Sequence, residues 1–492
     1  MMTNTLSLRR TSHAGNERLM LLGLGAVFII PSLFLVLNEQ WRLATMLMCL
    51  ILLLLAWRIN HTVAIGLCFA YLFLLGDIRR IVDMAAGPPG LDPLLLVGAL
   101  FALYLGLPII RRVRVGDSLS KVILVLFCVM VLEIFNPKQG SIFVGLSAGL
   151  FWIVPVIWFW IGRRYATEAM VSKLLFGVVA PLGILAAILG LYQNFVGFLP
   201  WEQTWIDAAV ASGLNSLFLA AGKVRSFGFS VNGIEFMELM LVTCMIVGPL
   251  FTSKKAIYTL FLPVLFWSIV LASSRTTIIK VILGYAVMWA VRGYAHNRAK
   301  VIPRLIFAIV LGLGALVYTV GHAAASEAAT TSKSSKADFA TSHVVQGLAN
   351  PLDDKKSTAG AHAGMFTSGI LVGFTNPVGY GLGSTTLGAG KFADSAGATT
   401  GSTEIDISDA FMAMGVVGGV CFLLMIYQTG RYLLEYLTYG NKQMGYCLAG
   451  IFAAMFGNWL GQGRYAMAPL MCFLIGFLAK QHNDHAAPAT AA

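Results

Sequence analysis

The feature that most limits what this chain can fold into is a succession of apolar runs. Each is roughly 17 to 24 residues long, enough for an α-helix to cross a hydrocarbon core. A transmembrane barrel would alternate polar and apolar residues, and an unbroken stretch such as Cys49 to Leu55 does not. Only 11% of the residues are charged, against about a quarter in soluble domains, and mean hydropathy is +0.79. An all-α polytopic integral membrane protein is expected.

The runs give about fourteen spans, centred near Phe28, Leu50, Phe69, Ala102, Leu126, Val154, Leu185, Val242, Val264, Tyr285, Gly312, Gly418, Ile451 and Met471. The span near Phe69 reads as short, and the last two read equally as one broken hairpin, which leaves twelve as the other count. The apolar run after Arg18 is too long for a signal-peptide core and is expected to remain as the first span.

The net charge of +12 has a topological reading. With a cytoplasmic N-terminus, the cytoplasmic loops receive most of the cations, among them Arg58, Arg111, Arg112, Arg163, Arg164, Arg292, Arg298, Arg304, Arg431 and Lys480. The other side keeps Arg42, Arg79, Arg80, Lys138, Lys223, Arg225, Arg275 and Arg464. Basic residues gather on the cytoplasmic side, so both termini are expected there. No soluble basic domain exists to carry a nucleic acid. The division that follows is a tail at 1–19, helices through 20–320 with an outer loop near 198–233, and a large outer loop at 321–407. Helices at 408–479 and a tail at 480–492 complete it. Within the large loop, Met365 to Phe374 is apolar enough for a re-entrant or interfacial helix.

The outer face holds the residues that could do chemistry. Arg225 and Arg275 stand at helix ends, and a guanidinium offers phosphate oxygens a bidentate fork. Ser273, Ser274, Thr276 and Thr277 add hydroxyls where a helix N-terminus would favour an anion, with Lys280 deeper in the same helix. Arg464, beside Asn458 and Gln462, is a further anion candidate. Glu235 and Glu238, one turn apart, are expected to pair with Arg225 or another basic neighbour, or to supply a general base. Glu404, Asp406 and Asp409 precede a span and offer further candidate bases, as does His362. His322 and His343 share the loop without metal-ligand spacing. The seven cysteines lie in apolar runs with no CxxC, so neither metal nor other cofactor is expected.

Four segments resemble the bacterial O-antigen ligase and polymerase superfamily. They are Arg225-Ser226-Phe227-Gly228-Phe229 followed by Asn232, then Ser274-Arg275, then Asn376 through Ser384 with its Gly-Tyr-Gly-Leu-Gly core, and Gly415-Val416-Val417-Gly418. The chain departs from that pattern where ligases carry a His-Asn pair, since Glu404-Ile405 stands there. It departs again at Ala361-His362-Ala363, where members often carry an arginine.

The resemblance implies an inverting, metal-independent transfer of an undecaprenyl-diphosphate-linked oligosaccharide. Arg225 and Arg275, with Lys280 and Arg464 as further candidates, would hold the diphosphate. Glu404, Asp406, Asp409 or His362 would deprotonate the acceptor hydroxyl. Loss of the ligase histidine favours a polymerase for O-antigen, capsule or exopolysaccharide over a ligase acting on lipid A-core. The resemblance also leaves room for a chain-length regulator as a partner beside the bilayer. A transporter or flippase of lipid-linked glycan is the reading from another class, although no internal repeat accompanies it.

Overall fold

The computed structural model describes residues 31–87, 92–112, 115–211, 224–252, 256–294, 297–312, 314, 345, 359–386, 401–461 and 463–486. The expected span centre Phe28, together with Lys223, His322, His343 and Gln462, lies outside the described residues. Among those described there is no β-strand, and the architecture is all-α, as the apolar runs imply.

Among the described residues seven helices are long and apolar enough to cross a membrane, and the chain is a multi-pass membrane protein. They are α1 (Trp41–Ile59), α2 (His61–Ala86), Pro93–Ile110 with α3 (Leu96–Ile110) as its α-helical part, α5 (Ile142–Tyr165), α6 (Glu168–Phe195), α8 (Gly233–Val247, extended to Leu250) and α12 (Asp406–Tyr439). Between or after them lie α4 (Ser118–Glu133), α7 (Pro200–Ala211), α9 (Leu262–Leu271), α10 (Arg275–Ala290), α11 (Ala359–Thr375), α13 (Lys442–Ala454) and α14 (Met467–Ala486). The short span expected near Phe69 is corrected: α2 has 26 residues, because Asp77, Arg79, Arg80 and Asp83 prolong the helix and are ion-paired or capped within the fold. The Gly-rich apolar segment around Met365 is helical, within the 17-residue α11.

Polar residues at the breaks between runs become the helix starts. Asn60, Asp117, Ser141, Thr167, Asn232, Ser274 and Asn441 each accept a backbone N–H of the first turn that follows. Helices then pack through glycines. A Cβ at Gly162 of α5 would collide with the Phe473 carbonyl of α14, and one at Gly476 would collide with Phe159 O. Phe151 O accepts Gly461 N, just before α14, while Arg163 and Asn483 share Asp117 at the far end. The two helices therefore run parallel.

The helix directions sort the charges to opposite ends of the bundle. One end carries Arg112, Lys121, Arg163, Arg164, Arg292, Arg431 and Lys480, with the acids Asp117, Glu168, Glu435 and Asp484. The other carries Arg42, Arg79, Arg80, Arg225, Arg275 and Arg464, interleaved with Asp83, Asp92, Asp77, Glu238 and Asp406.

α12 is broken near that second end. Gly415 has φ 62° and ψ −163°, a conformation essentially restricted to glycine. The break frees the carbonyls of Met412 and Ala413, which accept Tyr380 N at 3.0 Å and Gly381 N at 2.9 Å. In return Val416 N donates to Pro377 O at 3.2 Å. The Gly-Tyr-Gly-Leu-Gly segment and the kinked helix are thus two halves of one backbone junction. Irregular backbone at such depth persists only when its polar groups are satisfied inside the protein.

Gly415→Ala tests this junction. The added methyl would strain the backbone and drive into Pro377 O, so a loss of roughly 3 kcal/mol or more is expected. It should appear as a clear fall in the thermal midpoint of the detergent-solubilised protein.

Candidate functional site

The segment Arg225 to Ser230 enters the bundle as buried, irregular backbone, and three side chains from distant helices hold it. Gln193 Oε1 accepts Phe227 N at 3.0 Å and Gly228 N at 2.9 Å, and its amide donates to Gly228 O at 3.1 Å. Asn194 donates to Ser226 Oγ at 3.0 Å. Arg80 donates to Ser230 O at 2.7 Å while its guanidinium lies 4.0 Å from the Phe227 ring centre. Gly76 of α2 lets this strap approach so closely that any Cβ would strike Ser230 O. Glu202 of α7 accepts from Gln193 at 2.7 Å, and burial pushes its carboxyl above the usual range. These bonds tie the strap to α2 and α6, so Arg225 is held in place.

Arg225 stands at the start of the strap with its Nε buried and without a hydrogen-bond partner among the described residues. Burial lowers its pKa from the usual guanidinium value. The positive charge of Arg275 lowers it further, while Glu404 acts in the opposite sense. Three residues far apart in sequence therefore share one electrostatic neighbourhood. Arg275 opens α10 just after Ser274, whose hydroxyl accepts Thr277 N at 3.3 Å. Glu404 immediately precedes α12, and its Oε2 lies 3.4 Å from His362 Nδ1 in the first turns of α11. Its side chain is 62% exposed and that of His362 38%. Ser273 and Glu404 both adopt positive φ, 59° and 65°, an uncommon conformation that costs energy outside glycine. Strained backbone thus flanks both an arginine and the exposed acid.

The remaining candidates separate from this cluster. Arg464 is a correction: its Nε donates to Glu238 Oε1 at 2.7 Å, and its Nη1 donates to Asp406 Oδ1 at 3.0 Å and to Leu460 O at 2.7 Å. With a side chain only 1% exposed, it has no face left for a phosphate. Asp406 also accepts Leu460 N at 2.6 Å and is fully buried, so it braces the turn instead of serving as a base. Asp409 accepts Thr403 N and Oγ1, both at 2.7 Å, and Ser402 Oγ at 2.8 Å. It fastens the segment before α12 and is likewise unsuited to proton transfer. Glu238 pairs with Arg464 and not with Arg225, and Glu235 accepts Ala466 N at 2.7 Å. Lys280 is bonded to Asn458, whose amide reaches Glu404 O at 3.4 Å, so it supports the backbone of the site from below.

The supporting residues Gln193, Asn194, Arg80 and Glu202 were missed by sequence reasoning. A signal existed in the adjacent polar pair Gln193-Asn194 ending an apolar run, because polar groups within membrane helices mark functional or bonded positions. Among the described residues, no cluster of His, Cys, Asp and Glu could hold a metal ion. No family model matches the chain, nor does any curated protein or solved structure.

Arg464→Met is expected to destabilise the protein by about 3–5 kcal/mol, since it strands two buried carboxylates. Adding Glu238→Gln and Asp406→Asn should restore most of that loss in a thermal-unfolding assay. A bare loss of ligand affinity with unchanged stability would instead return Arg464 to the binding set.

Proposed function

We infer that the exposed cluster binds the diphosphate of a polyprenyl-linked glycan donor, and that the protein is an inverting glycosyltransferase joining lipid-linked repeat units. The observation that carries this reading is the convergence of two arginines and one exposed acid from distant segments at one end of the bundle. The charges of Arg275 and Glu404 both act on Arg225, whose Nε is buried with no hydrogen-bond partner among the described residues. Two neighbouring guanidiniums offer a diphosphate paired, fork-shaped sets of donors.

In this reading Arg225 and Arg275 orient the donor and stabilise the diphosphate as its bond to the anomeric carbon breaks. Glu404 takes the proton of the acceptor hydroxyl, whose oxygen attacks the anomeric carbon from the opposite face. His362 positions Glu404 through their contact. The leaving diphosphate is already stable, so positioning and charge stabilisation suffice. The apolar surface beside the cluster suits a lipid-borne donor, with Leu371 of α11 64% exposed and Val417 of α12 57% exposed. The basic opposite end would face the cytoplasm and the cluster the periplasm, in the inner membrane of a bacterium. The product is O-antigen, capsule or exopolysaccharide. Glu404 in place of a ligase histidine favours polymerisation over transfer to lipid A-core.

The test is the lipid-linked glycan profile of cells lacking the protein, complemented with wild type, Arg225→Ala or Arg275→Ala. Each substitution should cut polymer yield by roughly 10²–10³-fold and leave single repeat units on the carrier. Full-length polymer stranded on the carrier would make the protein a ligase. Normal polymer from both variants would sink the diphosphate-binding reading. In purified protein, Glu404→Gln should lose about 10²–10⁴-fold in turnover with an unchanged thermal midpoint. Asp406→Asn should lower the midpoint.

A further inference from the structure

The opposite end of the bundle holds a cavity of about 780 Å³ that the glycosyl-transfer reading does not use. Arg112 at the end of α3, Arg163 and Arg164 at the end of α5, and Lys480 near the end of α14 converge on it. Among the described residues that line it, Asp484 is the only carboxylate. Asp117, behind Arg163 at 3.1 Å, is already shared with Asn483 at 3.1 Å and with Ser120 N at 2.8 Å. The cavity is therefore net cationic.

Its walls are aromatic. Trp57 packs edge-on to Tyr165 with ring centres 4.9 Å apart, and Tyr104 stands 48% exposed at the mouth. From that mouth an apolar stripe runs back along α3 through Leu107, Tyr104 and Leu100, all exposed. Their spacing puts them on one helical face. Cations at the end of such a stripe, with aromatic rings between, match a phosphodiester whose acyl chains continue into the bilayer. A free phosphate would fill the cationic part and leave the stripe unexplained.

We propose that this cavity is a binding site for the headgroup of an anionic membrane phospholipid, with its acyl chains lying along α3. Its position makes it separate from the Arg225 cluster, and it stands whether or not that cluster transfers sugars. Native mass spectrometry of the full chain, released from micelles doped with phosphatidylglycerol or phosphatidylcholine, tests it. At about fivefold per cation, wild type should retain phosphatidylglycerol at least roughly tenfold better. Arg112→Ala/Arg164→Ala/Lys480→Ala should bring the ratio to about twofold or less. Arg163 is left intact because it also holds Asp117. Arg112→Lys/Arg164→Lys/Lys480→Arg should keep the preference, and excess inorganic phosphate should not displace the lipid. Phosphatidylglycerol brominated near the head of its chains should quench wild-type fluorescence more than that of Trp57→Phe, a readout that leaves every cation in place. Equal retention of the two lipids, a preference that survives the alanine substitutions, displacement by inorganic phosphate, or quenching indifferent to Trp57 would each overturn the proposal.

Discussion

The buried ion cluster around Arg464 is the contact on which the geometry of the far end depends. It ties Glu238 of α8 and Asp406 of α12 to the turn before α14, three segments with no local reason to meet. Glu235 adds a third link by accepting Ala466 N. Such a cluster adds little net stability over apolar packing, but it is costly to break, so it fixes one arrangement against alternatives that would leave a charge alone. Because Asp406 opens α12, the cluster sets where Glu404 emerges. Because Glu238 lies one turn into α8, it also sets the angle at which the Arg225 strap enters the bundle. An exposed, strained site is thus built on a closed, ion-paired one.

The junction at Gly415 does for α12 what Arg464 does for its start. A helix broken in its first third would normally expose carbonyls that lipid cannot satisfy. The segment after α11 answers them with Tyr380 N and Gly381 N, and Asn136 and Asn376 both donate to Gly379 O to hold that segment in turn. Glycine at 379, 381 and 415 has one shared cause: each backbone takes positive φ, and each passes too near its neighbour to carry a Cβ. Motifs that look separate in the sequence prove to be one contact seen from both sides.

This bears on what a single sequence can reveal. The all-α class, the sorting of cations between the two ends and the order of the glycine motifs are local or cumulative properties, and they were readable. The roles of individual charges were not. Arg225 and Arg464 look alike in sequence, as apolar-flanked arginines near helix ends, and differ only in what folds against them. The same holds for Glu404 and Asp406, two residues apart, one exposed and one fully buried. The span count suffered from the opposite problem. Apolar runs report composition, yet α4, α10 and α13 are only 16, 16 and 13 residues long. Their ends are set by caps, glycines and buried turns that hydropathy does not register.

A pair of like charges in a protein needs a reason, because the fold must hold them together against their repulsion. For Arg225 that cost is compounded by a buried Nε with no partner among the described residues. The strap behind it is nevertheless made rigid by Gln193, Asn194 and Arg80, so it cannot swing away to relieve the strain. An anion arriving between Arg225 and Arg275 would reverse the sign of the interaction without moving the backbone. That is the economy of a preorganised site: reorganisation is completed during folding, and charge that develops on a leaving group meets cations already in place. The neighbouring acid follows the same logic. Glu404, held at positive φ beside His362 and close enough to act on Arg225, stays exposed where a buried carboxylate such as Asp406 is consumed by its partners. The contrast between Asp406 and Asp409, whose oxygens are taken up by neighbours, and the exposed Glu404 beside Arg225 marks which residues at this end are available for chemistry.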